Sequence, residues 1–174
     1  MNNKQALRDL QQRLAERMQE AKDAPVAANW LAVECAGVGL LLPLKQAAEI
    51  FTLVPLKPVP YAQPWLAGVA NLRGGLFSVV DLAVLLGLRE SSAGSRDGAR
   101  LVALNAELNI NAALLVDRLL GLRGDEQLSS DPTPADGERP RFAGPVLLDA
   151  ALRRWQVLDL EALSRHELFL RIVA

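Results

Sequence analysis

The sequence predicts a mainly β fold, an all-β barrel or sandwich with minor helices. From Trp30 onward, short apolar runs recur at roughly 8–12-residue intervals, the rhythm of antiparallel β architectures. Between them stand clusters of Gly, Pro, Asp, Asn and Ser, residues that favour turns. Apolar residues make up 51% of 174, enough to bury a core and to exclude wholesale disorder.

The exception comes first in the chain. Over residues 3–23, Leu7, Leu10, Leu14, Met18 and Ala21 recur at three- and four-residue steps with charges between them, so a helix is expected. Its apolar stripe suits docking on its own domain or on a partner, and periodicity does not choose. Pro25 with Ala27, Ala28 and Asn29 reads as a linker. Trp30–Ala36 and Leu40–Pro43 form an expected hairpin, turning at Gly37-Val38-Gly39. Lys45–Ile50 is expected to form one helical turn and Thr52–Leu56 a strand. Pro55, Pro58, Pro60 and Pro64 mark the next stretch as connector or edge, because proline donates no backbone hydrogen bond.

Gly68–Leu72 and Leu76–Val80 flank Arg73-Gly74-Gly75, a strand–turn–strand signal with two glycines able to take positive φ. Asp81 is placed to cap a short helix over Leu82–Leu86, and Gly87 to end it. Ser91–Gly98 is a polar loop and the expected internal boundary, dividing the body into two small barrels. Arg100–Asn105 and Asn109–Arg118 read as a second hairpin; the latter is apolar on much of both faces, which suits a central strand. After the loop Ser129–Pro140, Phe142–Leu148 and Trp155–Leu158 complete the strands. Asp159 is expected to cap a last helix, Leu160–Leu170.

Composition narrows the function. The formal charge is -1, so no basic excess exists to neutralise phosphates or to hold an anionic membrane. Nucleic acid and direct membrane insertion are therefore not expected. One cysteine, Cys35, and one histidine, His166, preclude an internal disulfide and a four-ligand zinc site. The N-terminus lacks the apolar core of a secretory signal, and no apolar run reaches the about 20 residues that span a bilayer. A cytoplasmic protein is expected.

No residue set volunteers for catalysis. His166 sits between Arg165 and Glu167 and reads as a solvated helical histidine, and Cys35 as a small buried hydrophobe. Asp125 and Glu126 read as solvated loop carboxylates. No phosphate-binding glycine loop opens a helix. No catalytic residue, cofactor or metal is expected.

The most distinctive segment runs from Val59 to Leu82. It carries Trp65 as a buried anchor, two strands, and Asn71 and Arg73 beside a glycine turn. Pro60, Trp65, Gly68, Val69, Asn71, Leu72, Arg73 and Gly74, then Val80-Asp81-Leu82 and Leu86-Gly87, follow the order typical of CheW-like proteins. Leu114-Leu115-Val116-Asp117-Arg118-Leu119 resembles a second element of that family, and Leu42-Pro43-Leu44 with Glu49-Ile50 a third. The sequence departs from the family pattern at Ser78, where proline is usual, and at Ala113, where glycine is frequent. The N-terminal helical segment and the ending Ala162–Leu170 make it most similar to the PilI type, from chemotaxis-like systems that control type IV pili.

The resemblance implies two SH3-like five-stranded barrels with short helices over residues 29–172, preceded by a helical segment and linker at 1–28. It implies a non-catalytic adaptor joining a chemoreceptor to a CheA-type histidine kinase. The receptor's cytoplasmic tip would enter a groove between the barrels, and the kinase regulatory domain would bind elsewhere. Glu49, Asn71, Arg73 and Gly74, with Val116 and Asp117, are the candidates for receptor contact. Two further readings of the output stay open: a flagellar chemotaxis coupling protein, and an SH3-like module for a different protein partner. An enzyme using loop carboxylates is a third and has no residue pattern behind it.

Overall fold

The computed structural model describes residues 3–23, 29–91 and 96–174, with only the backbone described for residues 3, 4 and 18–23. Helix α1 (Asn3–Asp23) comes first, as the periodicity predicts. Its described side chains are all exposed, Leu7, Leu10 and Leu14 among them. The linker expected around Pro25 lies outside the described residues.

The strands that follow are β1 (Trp30–Cys35), β2 (Val38–Pro43), β3 (Ala47–Thr52), β4 (Leu66–Leu72), β5 (Gly75–Asp81) and β6 (Arg100–Leu104). Then come β7 (Ala112–Val116), β8 (Arg118–Arg123), β9 (Ser129–Ser130), β10 (Ala143–Leu148) and β11 (Arg154–Leu158). They form a six-stranded sheet in the order β8-β1-β2-β11-β10-β9 and a five-stranded sheet in the order β3-β6-β7-β5-β4. Short helices α2 (Leu82–Leu85), α3 (Leu160–Arg165) and α4 (Glu167–Leu170) cover one side.

The five-stranded sheet curls until its edges meet. Lys57, shortly after β3, exchanges two backbone hydrogen bonds of 2.9 Å with Val69 on β4. Gly68 makes that approach possible: its φ is +146°, and a Cβ there would stand 2.6 Å from the Lys57 carbonyl oxygen. Ala70, Leu72, Val79, Leu101, Ala113 and Leu115 fill this barrel. The six-stranded sheet wraps Ala32, Leu41, Trp155 and Val157. Gly39 lets the Trp155 ring lie flat on β2, since a Cβ there would meet the ring at 2.8 Å.

A larger apolar cluster joins the two sheets. Alternation sends Leu31, Val33 and Cys35 of β1 into it while Ala32 faces inward. In β7, Ala112, Leu114 and Val116 go to the shared cluster and Ala113 and Leu115 to the barrel interior. β7 is thus buried on both faces at the centre of its sheet, as its sequence predicts. Each leucine withdrawn from water in this way contributes about 1.5–3 kcal/mol. The shared cluster therefore dominates the cohesion of the body.

Several elements depart from expectation. The loop at 91–98, of which 92–95 lie outside the described residues, is not the boundary between sheets. It leads from β5 and α2 to β6, all on the five-stranded side. The chain instead crosses between sheets at 44–46 and at Asp117, so the five-stranded barrel is inserted into the six-stranded one. Residues 47–50 are not a helical turn but part of β3, which pairs with β6 from Ala47↔Leu104 to Thr52↔Arg100, far apart in sequence. Of the expected strand 52–56, Thr52 ends β3 and the rest is irregular, with Leu53, Val54 and Leu56 packed on the barrel interior.

The expected last helix is two helices. His166 is extended between them, and its Nδ1 accepts the Leu168 N–H at 3.1 Å. It is therefore a helix cap set edge-on against Phe142, not a solvated helical residue. Turn positions shift too. The β1–β2 turn is Ala36-Gly37, and the β4–β5 turn places Arg73 and Gly74, not Gly75, at positive φ. Asp81 caps α2 through the Val84 N–H, and Gly87 ends it at φ +72°, as expected. Trp65 is buried and stacks on Phe169 at 6.0 Å. Asp125 is not a free loop carboxylate, since it accepts the Trp30 indole N–H at 2.9 Å and the Asn29 amide at 2.5 Å.

Candidate functional site

The hairpin of β4 and β5 positions the first group of candidates. A two-residue turn with both residues left-handed matches the twist of its strands, and only glycine takes that conformation without cost. Here Arg73 occupies one of the two positions at φ +49°. The Asn71 side chain steadies the turn by accepting the Gly74 N–H at 3.0 Å. This fixes the base of the Arg73 side chain while leaving its guanidinium outside.

That guanidinium reaches Glu49 on β3, with Nη2 2.5 Å from Oε1. A bulge between Ala47 and Ile50 re-aims Glu49 toward it. Because β3 and β4 are opposite edges of one sheet, the ion pair spans the seam where the barrel closes. The side chains are 76% and 40% exposed, so the pair is worth at most about 1 kcal/mol to folding. Its value for stability is small, and its donors remain within reach of a partner.

Glu49, Asn71, Arg73 and Gly74 are therefore brought together, while the other two candidates are not. Val116 is fully buried in the shared cluster. Asp117 stands at the crossing from β7 to β8. Its carboxylate accepts the Ala36 N–H at 2.7 Å and pairs with Arg89, and its own N–H donates to Glu34 O at 3.0 Å.

Three residues that sequence reasoning missed extend the shared apolar face into solvent. Leu119 and Leu122 on edge strand β8 pair with Val33 and Leu31, and Ile50 on edge strand β3 pairs with Val102. Directly paired residues share a face, and all three partners are buried in the shared cluster. Leu119, Leu122 and Ile50 are themselves exposed. Periodicity could not flag the leucines, because a bulge opposite Ala32 and Val33 breaks the alternation of β8.

The arrangement elsewhere is structural. A depression of about 680 Å³ is lined by Arg139, Arg141, Arg165 and His166 with Asp159, Glu161 and Glu167. Its carboxylates are committed: Glu161 to Arg165, Glu167 to Arg171, and Asp159 to the α3 cap and Gln46. Among the described residues no group of three or more His, Cys, Asp or Glu is placed to hold a metal. Burial pushes the Cys35 thiol up to about 12, far from a reactive thiolate. No described helix is long and apolar enough to cross a membrane.

The model of the CheW-like domain family matches residues 29–168. The chain belongs to the CheW-like family. Protein PilI of Pseudomonas aeruginosa strain PAO1 is 25% identical over 173 residues, covering 97% of this chain and 94% of PilI. Among solved structures, the scaffolding protein TtCheW of Thermoanaerobacter tengcongensis has a TM-score of 0.65 at 17% identity, over 82% of this chain and 95% of that one. The CheW-like fold accounts for the two joined sheets. The alignment with PilI reaches further than the family region and takes in α1.

Proposed function

We propose that this chain is a non-catalytic adaptor that couples a chemoreceptor to a CheA-type histidine kinase, in a cytoplasmic array governing type IV pilus twitching. One observation carries the reading. Uncovered apolar residues from both sheets, Ile50, Leu119 and Leu122, continue the shared core outward, and the exposed Glu49–Arg73 pair stands beside Ile50. A receptor tip is a helical hairpin, and a helix docks by apolar anchors with a few polar groups fixing its orientation. This surface offers both. Asn71 and Gly74 act by holding the turn that presents Arg73. Residues 29–172 form the adaptor body, and residues 1–28 a separate helical segment and linker. The match to PilI along nearly its whole length supports the pilus branch. The kinase regulatory domain would bind another face, leaving the Arg73 side free for the receptor.

Calorimetric titration with the regulatory domains of the organism's CheA-type kinases, one at a time, tests this. Wild-type protein is expected to bind one of them, and Arg73→Glu to bind it equally. The same substitution is expected to weaken association with the receptor tip at least tenfold, because a like charge then faces Glu49 and the guanidinium donors are lost. A folded protein that binds none of the kinases refutes the coupling role.

A further inference from the structure

The polypeptide passes between the two barrels twice, and each crossing carries a polar tie to both. At the first crossing, Gln46 accepts the Asn105 N–H through its backbone oxygen at 2.8 Å. Its side-chain oxygen accepts the Leu160 N–H at 2.7 Å. Asn105 follows β6 of the five-stranded barrel, and Leu160 follows β11 of the six-stranded one. At the second crossing the tie is Asp117. One carboxylate oxygen, Oδ2, takes the Ala36 N–H from the β1–β2 turn and the Arg89 guanidinium from the loop after α2. The first donor belongs to the six-stranded barrel, the second to the five-stranded one.

We infer that Asp117 is a clamp that locks the barrels together at one end of their shared face, a positioning residue rather than one that touches the receptor. Three observations lead there. Both ties are charge-assisted, and one of them reaches the left-handed Ala36, a residue whose φ of +48° needs support from its surroundings. The Asp117 N–H is itself bonded to Glu34 O, so backbone and side chain both hold the β1 end. The apolar residues around the crossing, Val33, Cys35 and Val116, make a non-directional contact that fixes no register by itself. Direction comes from the carboxylate. Leu119 begins two residues beyond Asp117, so a change in the clamp angle moves β8 and its exposed leucines relative to Ile50. The effect on receptor binding rests on the adaptor reading, whereas the clamp itself does not.

The test uses the full chain carrying Glu107→Cys and Ser130→Cys, exposed positions on the two barrels, for paired spin labels. Cys35 is buried and stays unlabelled. In the free protein, Asp117→Ala is expected to broaden the inter-label distance distribution. It should also speed amide exchange at Ala36 roughly tenfold or more, the loss of a charge-assisted bond, while amides inside each barrel change little. Arg89→Ala should reproduce the broadening, and the double variant should add nothing to it. A receptor-tip hairpin titrated against each variant should bind more weakly in proportion to the broadening. Where Asp117→Ala does not fold, Asp117→Asn keeps an acceptor for Ala36 and should broaden the distribution less than Arg89→Ala. Unchanged distances with weakened receptor binding would assign Asp117 to direct contact and overturn the clamp. A uniform rise in exchange without broadening would reduce it to ordinary stability, overturning it likewise. Broadening in a protein whose wild type binds no receptor tip would keep the clamp and reject the adaptor reading.

Discussion

Replacing Gly68 by alanine probes the closure of the five-stranded barrel. At φ +146° an L-residue is strained, at a cost of about 1–3 kcal/mol. The new Cβ would also stand 2.6 Å from the Lys57 carbonyl oxygen and 3.1 Å from its carbon, which are backbone atoms with no rotamer in which to retreat. The segment before Lys57 must then move away, breaking the two Lys57–Val69 hydrogen bonds at about 1 kcal/mol each. The expected loss is roughly 3–5 kcal/mol. Gly74→Ala is the internal control. Its φ is +79° and nothing lies within 4 Å of its Cβ, so it should cost only about 1–2 kcal/mol. Urea unfolding followed by tryptophan fluorescence reads both, and the midpoint should fall with little change in slope. Equal losses for the two variants would show that the seam carries no tension and that the closure argument is wrong.

Other expectations follow from single contacts. Cys35, with its thiol pushed up to about 12 by burial, should resist iodoacetamide at pH 8 in the folded protein and react fully in urea; mass spectrometry counts the adduct. Asp149 is held below the ordinary aspartate value of 3.8, first by the Trp155 indole N–H and then by the Arg153 N–H. A depressed folded pKa gives stability that is complete above 3.8 and is lost as pH falls through the lower folded value. Asp149→Asn should therefore flatten acid unfolding in that window while leaving the shape of the curve at neutral pH unchanged. Leu10→Asp on the exposed face of α1 should change the melting free energy by less than about 0.5 kcal/mol, read by circular dichroism; a larger loss would mean that α1 is packed on the body in solution.

Local chemistry made much of this fold legible. Asp81 and Gly87 bracket α2 because capping is decided within a few residues, and the β4–β5 hairpin is written in adjacent strands and their turn. What escaped depends on partners far away in sequence. β3 is short and alanine-rich, and it becomes a strand only because β6 lies beside it. The parallel pairs β2–β11 and β5–β7 bring together segments with no turn between them, so the nesting of one barrel in the other left no trace in the loops. At the candidate site, Arg73, Asn71 and Glu49 were reached through a family resemblance, and the ion pair across the seam gives that grouping its geometry. Val116 lies in a strand buried on both faces, a placement its motif did not reveal. Ile50 and Leu119 stood inside family elements and Arg89 and Leu122 outside them, but the exposed apolar face and the Asp117 contact arise from register and crossing, which composition does not encode.

The insertion of one barrel into the sequence of the other also fixes the order in which neighbouring strands are made. Among the described strands the β1–β2 hairpin is made first, yet its neighbours β8 and β11 are the eighth and the last. The five-stranded barrel has all its strands once Val116 has been delivered. Until Leu158 follows, the early hairpin can shelter one apolar face only against that finished barrel. The five-stranded barrel thus has its full set of strands while the other still lacks some, and the earliest strands of the body are the last to find their full complement of neighbours.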